Sequence, residues 1–259
     1  MNNMENLRQT DQVIRGWLKE IRKDVLGELH DPLSVAEKSS RKDLVTNVDK
    51  ANEKRIIKYI RELDPEAKIL GEEGQGDRVT DMQGHVWIID PLDGTLNFVK
   101  QRDNFAVMIA LYIDGTGVLG YIMDVMRDII YGGGPQLGVF NQSGQLPKPA
   151  NISLKDGLLG VSGPMLIHDK YHLQAIDEAS SGVHIIGSAG IEFIQVLTGK
   201  QNGYISHLMP WDFAAGKILA ETLDLSVTKV DGTPVDMLSS NDVLVSTRDT
   251  HKDILNMIR

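Results

Sequence analysis

The segment Trp87–Val99, WIIDPLDGTLNFV, is the most informative stretch of the chain. Three apolar residues run directly into Asp90, and a second carboxylate, Asp93, follows three positions later beside a Gly-Thr pair. A carboxylate at the end of an apolar run is costly to bury unless a cation neutralises it. The pattern therefore predicts a buried strand that delivers two acids to a cation site.

The composition is that of an ordinary globular protein, with 259 residues, 41% hydrophobic and 24% charged. The absence of cysteine excludes disulfides, thiolate metal sites and cysteine nucleophiles. A net charge of -9 argues against non-specific nucleic-acid binding, although a bound metal can still attract an anionic substrate. Because there is no apolar signal core or membrane-length apolar run, we expect a cytoplasmic protein without a nucleic-acid or membrane partner.

The hydrophobic pattern changes along the chain. Helical periodicity predicts helices over residues 11–29 and from about Asp49 to Leu63, and a series of strands begins near Lys68. After QSGQLPKPAN, strands alternate with helices, the first of which is predicted over residues 169–179. This alternation points to α/β layers with crossover connections. We therefore expect an α+β half over residues 1–145, carrying most of the metal ligands, and an α/β half over 146–259 that completes the site.

Acidic residues gather at the predicted ends of strands and helices. They are Glu72 and Glu73 in GEEG, Asp90 and Asp93, Asp212 in PWDFAAG, and Asp49. Two Mg²⁺ ions held by such carboxylates can clamp a phosphate ester, since hard divalent cations prefer oxygen ligands. If Gly94 and Thr95 open a helix, their backbone N–H groups would bind phosphate oxygens.

Each motif also has a simpler interpretation. Glu72-Glu73 between glycines is typical of a solvated loop, and Asp212 could be a simple N-cap of a helix. The segment from Asp90 to Gly94 could be an ordinary β-turn. The joint occurrence of all these acids at the ends of elements favours the metal site.

Four segments resemble the signatures of the inositol monophosphatase family, which are Mg²⁺-dependent, Li⁺-sensitive phosphatases. They are KSSRKDLVTNVD (38–49), GEEG (71–74), WIIDPLDGTLNFV (87–99) and PWDFAAG (210–216), in the family's order. The resemblance covers essentially the whole chain. It implies a layered αβαβα sandwich of the inositol monophosphatase and fructose-1,6-bisphosphatase type, assembled as a homodimer.

The resemblance also implies roles for individual residues. The metal ligands would be Glu72, Asp90, the Leu92 carbonyl, Asp93 and Asp212. The catalytic group would comprise Thr95 and Asp49, which orient and deprotonate the attacking water, and Glu73 behind the ligands. The substrate would meet Gly94, Thr95, Gly187, Ser188, Ala189 and Asp212, with Lys38 on a possible flap.

The implied reaction is hydrolysis of a phosphate monoester by in-line attack of water activated by two or three Mg²⁺ ions, with no phosphoenzyme. The expected substrate is an inositol monophosphate or a sugar phosphate. Two alternatives stay open at this point: a nucleotide phosphatase acting on 3'-phosphoadenosine 5'-phosphate or NADP, and a non-catalytic binding or regulatory member of the same fold.

Two positions depart from the family's pattern. Ile205 stands where inositol-specific members often carry a glutamate that accepts hydrogen bonds from ring hydroxyls, so specificity for inositol phosphate is in doubt. Ser206 or His207 could replace that acceptor only in part. Asp224-Leu225 stands where a Gly-Gly pair commonly ends the helix after Trp-Asp, and a differently built helix end is expected.

Overall fold

A computed structural model describes residues 3–29, 34–41 and 43–258, which form eight α-helices and fourteen β-strands. The helices are α1 (Asn3–Glu28), α2 (Asn47–Leu63), α3 (Thr95–Lys100), α4 (Gly163–Ile167), α5 (Leu173–Ala179), α6 (Ala189–Leu197), α7 (Pro210–Thr222) and α8 (Arg248–Met257). The strands are β1 (Val35–Ser40), β2 (Asp43–Thr46), β3 (Lys68–Gly71), β4 (His85–Asp93), β5 (Ala106–Ile113), β6 (Thr116–Asp124), β7 (Ile129–Gly134), β8 (Gly138–Asn141), β9 (Gly144–Gln145), β10 (Leu159–Val161), β11 (Val183–His184), β12 (Gly203–Leu208), β13 (Ser226–Lys229) and β14 (Asn241–Ser246). None of the helices in this described part of the chain is long and apolar enough to cross a membrane.

The strands form two large sheets and one short hairpin. β3 to β9 make a seven-stranded sheet in sequence order, in which only the β3–β4 pair is parallel. The second sheet has the order β11-β10-β12-β14-β13, with β10 parallel to both of its neighbours and β14 antiparallel to both of its own. The crossover topology expected from alternating strands and helices is therefore found in only part of this sheet.

The two sheets and the helices stack in five layers. Trp87 and Ile89 of β4 pack against α1 and α2, whereas Val86 and Ile88 on the opposite face pack against α6 and α7. The second sheet covers the other side of α6 and α7 with one face and contacts α4, α5 and α8 with its other face. Because side chains alternate between the faces of a strand, each sheet buries both faces. This arrangement confirms the expected αβαβα sandwich.

The division at residue 145 stays a prediction. The seven-stranded sheet ends at Gln145 and the second sheet begins at Leu159, close to the proposed boundary. However, one core cluster joins Val86 and Met108 from the first half to Phe193 and Val243 from the second. The two halves therefore share a hydrophobic core.

Several predicted elements need correction. The helix expected over 169–179 begins only at Leu173, because Tyr171 and His172 have positive φ angles of 60° and 58°. The strands β1, β2, β9 and β13 and the short helix α4 were not predicted from the sequence. Such short elements carry too few alternating residues for periodicity to reveal them.

The end of α7 is closer to the family's pattern than its sequence suggests. Asp224 adopts a positive φ of 70°, the conformation for which a glycine is usually needed. The next backbone N–H, from Leu225, returns to the carbonyl of Ala220 at 3.0 Å. Asp224 thus replaces glycine in a left-handed helix end, and the expectation of a differently built cap was wrong.

Candidate functional site

A bulge at the end of β4 places Asp90 and Asp93 on the same side of the sheet. Residues three apart in a regular strand face opposite sides. Here Asp90 lies opposite Met108 and Asp93 opposite Ala106, so β4 contains one extra residue between the two acids. Pro91 is tolerated within this bulge because the neighbouring β3 pairs only as far as Ile89. Both carboxylates therefore face α6 and α7.

Asp212 joins these two acids from a distant part of the chain. One carboxylate oxygen from each of Asp90, Asp93 and Asp212 lies within 4.8 Å of the others. Asp212 also accepts a hydrogen bond from the backbone N–H of Met209 at 2.7 Å, at the start of α7. Asp212 is thus not the N-cap, which is Met209, but the third residue of α7, and its side chain binds the backbone of the N-cap. The same side chain belongs to the acidic cluster.

The electrostatics of the cluster favour the binding of a cation. Burial, followed by the charges of Glu72, Asp93 and Asp212, raises the pKa of Asp90 well above its usual value. Burial also raises the pKa of Asp93, although hydrogen bonds from Ser188, Gly190 and Ala189 act in the opposite direction. Oxygen ligands at this spacing suit Mg²⁺. The residues present therefore fit a magnesium site.

Glu72 and Glu73 follow β3 in a loop that a third glutamate fixes. The charge of Glu72 is one of the causes of the raised pKa of Asp90, so the two carboxylates lie close together. Glu53, a buried residue of α2, accepts hydrogen bonds from the backbone N–H groups of Glu73 at 2.8 Å and Gln75 at 3.2 Å. These hydrogen bonds anchor the GEEG loop to α2, while Glu72 and Glu73 are half-buried, so the loop is only partly solvated.

The predicted pair of Thr95 and Asp49 is present. Thr95 Oγ1 lies 2.8 Å from Asp49 Oδ1 and 3.1 Å from the carbonyl oxygen of Leu92. The other Asp49 oxygen accepts hydrogen bonds from the N–H and the hydroxyl of Thr46, at 2.8 and 2.5 Å. All three side chains are buried, so the position of the Thr95 hydroxyl is closely defined.

Gly94 is the N-cap of α3, so the Gly94-Thr95 pair opens a helix as the sequence predicted. Its φ of 84° is left-handed, and an added Cβ would lie 2.9 Å from the Cβ of Ser188. Only glycine combines this conformation with such a close approach.

The turn that contains Gly187, Ser188 and Ala189 binds the carboxylate of Asp93. The hydroxyl of Ser188 and the backbone N–H groups of Ala189 and Gly190 all donate to Asp93, the two N–H groups at 2.9 and 2.8 Å. This turn therefore fixes the orientation of Asp93.

A cavity of about 470 Å³ adjoins the acidic cluster. Its wall includes Asp93 and Asp212, the turn at 187–189, and Glu192, Tyr204, Ser206 and His207. Ile205, by contrast, faces the opposite side of β12 and is fully buried in the core with Leu244. A larger cavity of about 530 Å³ lies between α1 and β7–β8. None of the three clustered carboxylates lines it, so it is not part of the candidate metal site.

Two buried glutamates beside the acidic cluster were not predicted from the sequence. Glu53 and Glu192 are isolated glutamates within helices, and no motif distinguishes them from solvated ones. Both are almost completely buried. Lys38 lies in β1, but its side chain falls outside the described residues, so the flap remains a prediction.

Glu53 provides a test of the loop that carries Glu72. Replacing it with alanine removes both acceptors of the loop's N–H groups, and we expect the Mg²⁺ concentration for half-maximal binding to rise about tenfold. A magnesium titration of the purified variant measures this shift. Glu62→Ala, at an exposed position of the same helix, is the matched control. An unchanged magnesium requirement would contradict a role for Glu53.

The buried acids also predict how pH affects the metal-free protein. Since the folded state raises the pKa of Asp90 and Asp93 above the unfolded value of 3.8, it binds more protons, and stability falls as pH rises above that value. Saturating Mg²⁺ would offset both the burial of these carboxylates and the repulsion between their charges. The rise in melting temperature on adding Mg²⁺ should therefore be larger near pH 7.5 than near pH 5, as differential scanning fluorimetry would measure. Equal rises would argue against a cation at this cluster.

Comparison with known proteins agrees with this geometry. The sequence model that defines the "Inositol monophosphatase family" matches residues 6–259 of this chain. An inositol-1-monophosphatase of Bacillus subtilis (strain 168) is 34% identical over 256 residues, covering 97% of both chains. Two solved structures are also similar. An IMPase/NADP phosphatase complexed with Mg²⁺ and phosphate superposes with a TM-score of 0.90 and is 30% identical, with 97% of this chain and 95% of the other covered. A staphylococcal inositol monophosphatase-1 in a LiCl-soaked inhibitory complex has a TM-score of 0.91 and is 29% identical, with 97% of this chain and 94% of the other covered. This chain therefore belongs to the inositol monophosphatase family.

Proposed function

We propose that this protein is a Mg²⁺-dependent phosphomonoesterase that hydrolyses a small phosphorylated alcohol, an inositol monophosphate or a sugar phosphate. The observation that carries the proposal is the convergence of Asp90, Asp93 and Asp212 within 4.8 Å beside an open cavity. Membership of the family and the likeness to a phosphatase complexed with Mg²⁺ and phosphate support it.

The side chains of the site have two roles in this proposal, metal binding and proton transfer. Glu72, Asp90, Asp93, Asp212 and the Leu92 carbonyl would hold two or three Mg²⁺ ions, with Glu73 close behind. Bound Mg²⁺ would supply the positive charge that binds phosphate oxygens and makes a nearby water more acidic.

The Thr95 hydroxyl would orient the attacking water in line with the scissile bond. Because Thr95 Oγ1 lies 2.8 Å from Asp49 Oδ1, the proton lost by the water can pass through the hydroxyl to that carboxylate. The backbone N–H groups of Gly94 and Thr95 would bind the phosphate. Gly187, Ser188 and Ala189 would contact the alcohol. Positioning and charge stabilisation are the main contributions expected in phosphoryl transfer.

A nucleotide substrate is the second candidate. One of the similar structures is an IMPase/NADP phosphatase, and the fully buried Ile205 cannot accept hydrogen bonds from an inositol ring. At the cavity wall, His207 binds Asp242 at 2.9 Å, and Asp242 also binds Lys170 and Tyr171 at 2.7 and 2.6 Å. This cluster offers a cation and an aromatic ring near the cavity, features that suit a nucleotide.

A substrate panel would test the proposal directly. The purified protein is assayed for phosphate release from inositol monophosphates, sugar phosphates, 3'-phosphoadenosine 5'-phosphate and NADP, with Mg²⁺ or with a chelator. We expect Mg²⁺-dependent release that Li⁺ inhibits, and the preferred substrate decides between the two candidates. No release from any compound by folded protein would overturn the proposal in favour of a non-catalytic binding role.

Assembly as a homodimer and a cytoplasmic location are parts of the same proposal. The dimer rests on the family resemblance, and the location rests on the composition of the chain. Sedimentation velocity would test the dimer, and a single species at the mass of 28.7 kDa would contradict it.

A further inference from the structure

Glu192 is a buried acid in the wall of the proposed catalytic cavity. It lies in α6, has only 1% of its surface exposed, and accepts a hydrogen bond from the backbone N–H of Ile186 at 3.0 Å. Its second oxygen, Oε2, has no geometrically good hydrogen bond among the described residues. Burial, together with the charge of Asp93, raises the pKa of Glu192 to about 7, while its hydrogen bonds act in the opposite direction. Burying such a group is costly, so its retention needs a reason.

Gln201 is the natural partner of that second oxygen. It is 3% exposed, and both ends of its amide likewise lack a geometrically good partner in the described part of the chain. A Cβ added to Gly160 of β10 would lie 2.2 Å from Glu192 Oε2 and 2.8 Å from Gln201 Oε1. The two side chains therefore lie side by side in space that the glycine leaves open. A small rotation of the amide completes the bond, whether Glu192 donates to Oε1 or accepts from Nε2.

Ile186, whose backbone N–H donates to Glu192, belongs to the turn that binds Asp93. Residues 188–190 of that turn provide three donors to the Asp93 carboxylate. On the other side, Asn97 donates to the carbonyl oxygen of Ile186 at 2.8 Å. Glu192 and Asn97 thus fix the same peptide segment from two directions, immediately before the groups that orient Asp93.

We propose that Glu192 is a positioning residue for the reaction: through Ile186 and Gln201 it fixes the turn at 186–190, and through that turn it holds Asp93 in the geometry that binds metal. This inference rests on the proposed function. Glu192 does not contact substrate or metal in this role; it acts through Asp93.

Two substitutions at position 192 separate this role from simple packing. Glu192→Ala removes both contacts, and we expect kcat to fall about tenfold and the Mg²⁺ concentration for half-maximal activity to rise about tenfold, with a smaller change in KM. Glu192→Gln keeps the shape, an acceptor for Ile186 and a donor for Gln201. It should restore both quantities to within about twofold of the wild-type values. Glu178→Ala, at an exposed position of α5, is the control.

The outcomes of these assays distinguish failure of the positioning role from failure of the proposed function. If the wild type releases no phosphate, the proposed function fails; if the wild type is active and Glu192→Ala matches it, only the positioning role fails. A Gln variant as impaired as the Ala variant would also overturn the role. Should the Ala variant not fold, Gln201→Met removes the partner with little change of volume. The proposal then requires kcat to fall at least threefold.

Discussion

Replacing Asp93 with asparagine is expected to lower kcat about a thousandfold while leaving the fold intact. Asp93 is buried and belongs to the three-carboxylate cluster, where its carboxylate would give a bound Mg²⁺ ion one negative charge. Loss of that charge weakens Mg²⁺ binding where charge develops in the transition state, an effect of several kcal/mol. Steady-state phosphate release at saturating Mg²⁺, with circular dichroism of the same sample, measures the effect.

A control is needed because asparagine also disturbs the turn at 188–190. Ala189 and Gly190 now donate to different carboxylate oxygens of Asp93. The amide oxygen of asparagine can accept only one of these hydrogen bonds, and its N–H₂ group cannot accept the other. Ser188→Ala removes a single donor to Asp93 and keeps the charge, so it should lower kcat only a few fold. If the two variants lose activity equally, the geometry of the turn, and not the charge of Asp93, would account for the loss.

Removal of the Thr95 hydroxyl is the second large effect. Thr95→Ala should lower kcat about 10²-fold or more with little change in the magnesium requirement, because the hydroxyl serves proton transfer and not metal binding. Thr95→Ser, which retains the hydroxyl, should keep kcat within a few fold of the wild-type value. Rapid-quench measurement of the chemical step would distinguish this effect from slow product release.

The pairing of Thr95 with Asp49 predicts non-additive losses. Asp49→Asn should lower kcat to a similar extent, and the double variant should be little worse than either single one, since both act on the same proton. Asparagine retains an acceptor for Thr46, which limits the damage to the start of α2. Additive losses would indicate that the two residues serve different steps.

Local patterns in the sequence predicted much of the first half of the site. The apolar run before Asp90 predicted β4, and the Gly94-Thr95 pair predicted the start of α3, because both features depend on neighbouring residues. The family's motifs supplied the set of acids and their roles. Helix α5 was placed too early, since positive φ angles at Tyr171 and His172 leave no signal in hydrophobic periodicity.

The sequence by itself determined the acidic motifs, the cysteine-free chemistry and the type of fold, because these depend on residue identity and on short-range repeats. Only the tertiary structure decided that a bulge turns Asp90 and Asp93 to one side, that Asp212 joins them, and that Ile205 faces the core while Ser206 faces the cavity. It also decided that Glu53 and Glu192, which look like ordinary helix glutamates in the sequence, are buried and accept backbone hydrogen bonds from segments beside the acidic cluster. The physical reason is that burial and hydrogen bonding join segments far apart in the chain, and no short-range pattern records which segments will meet.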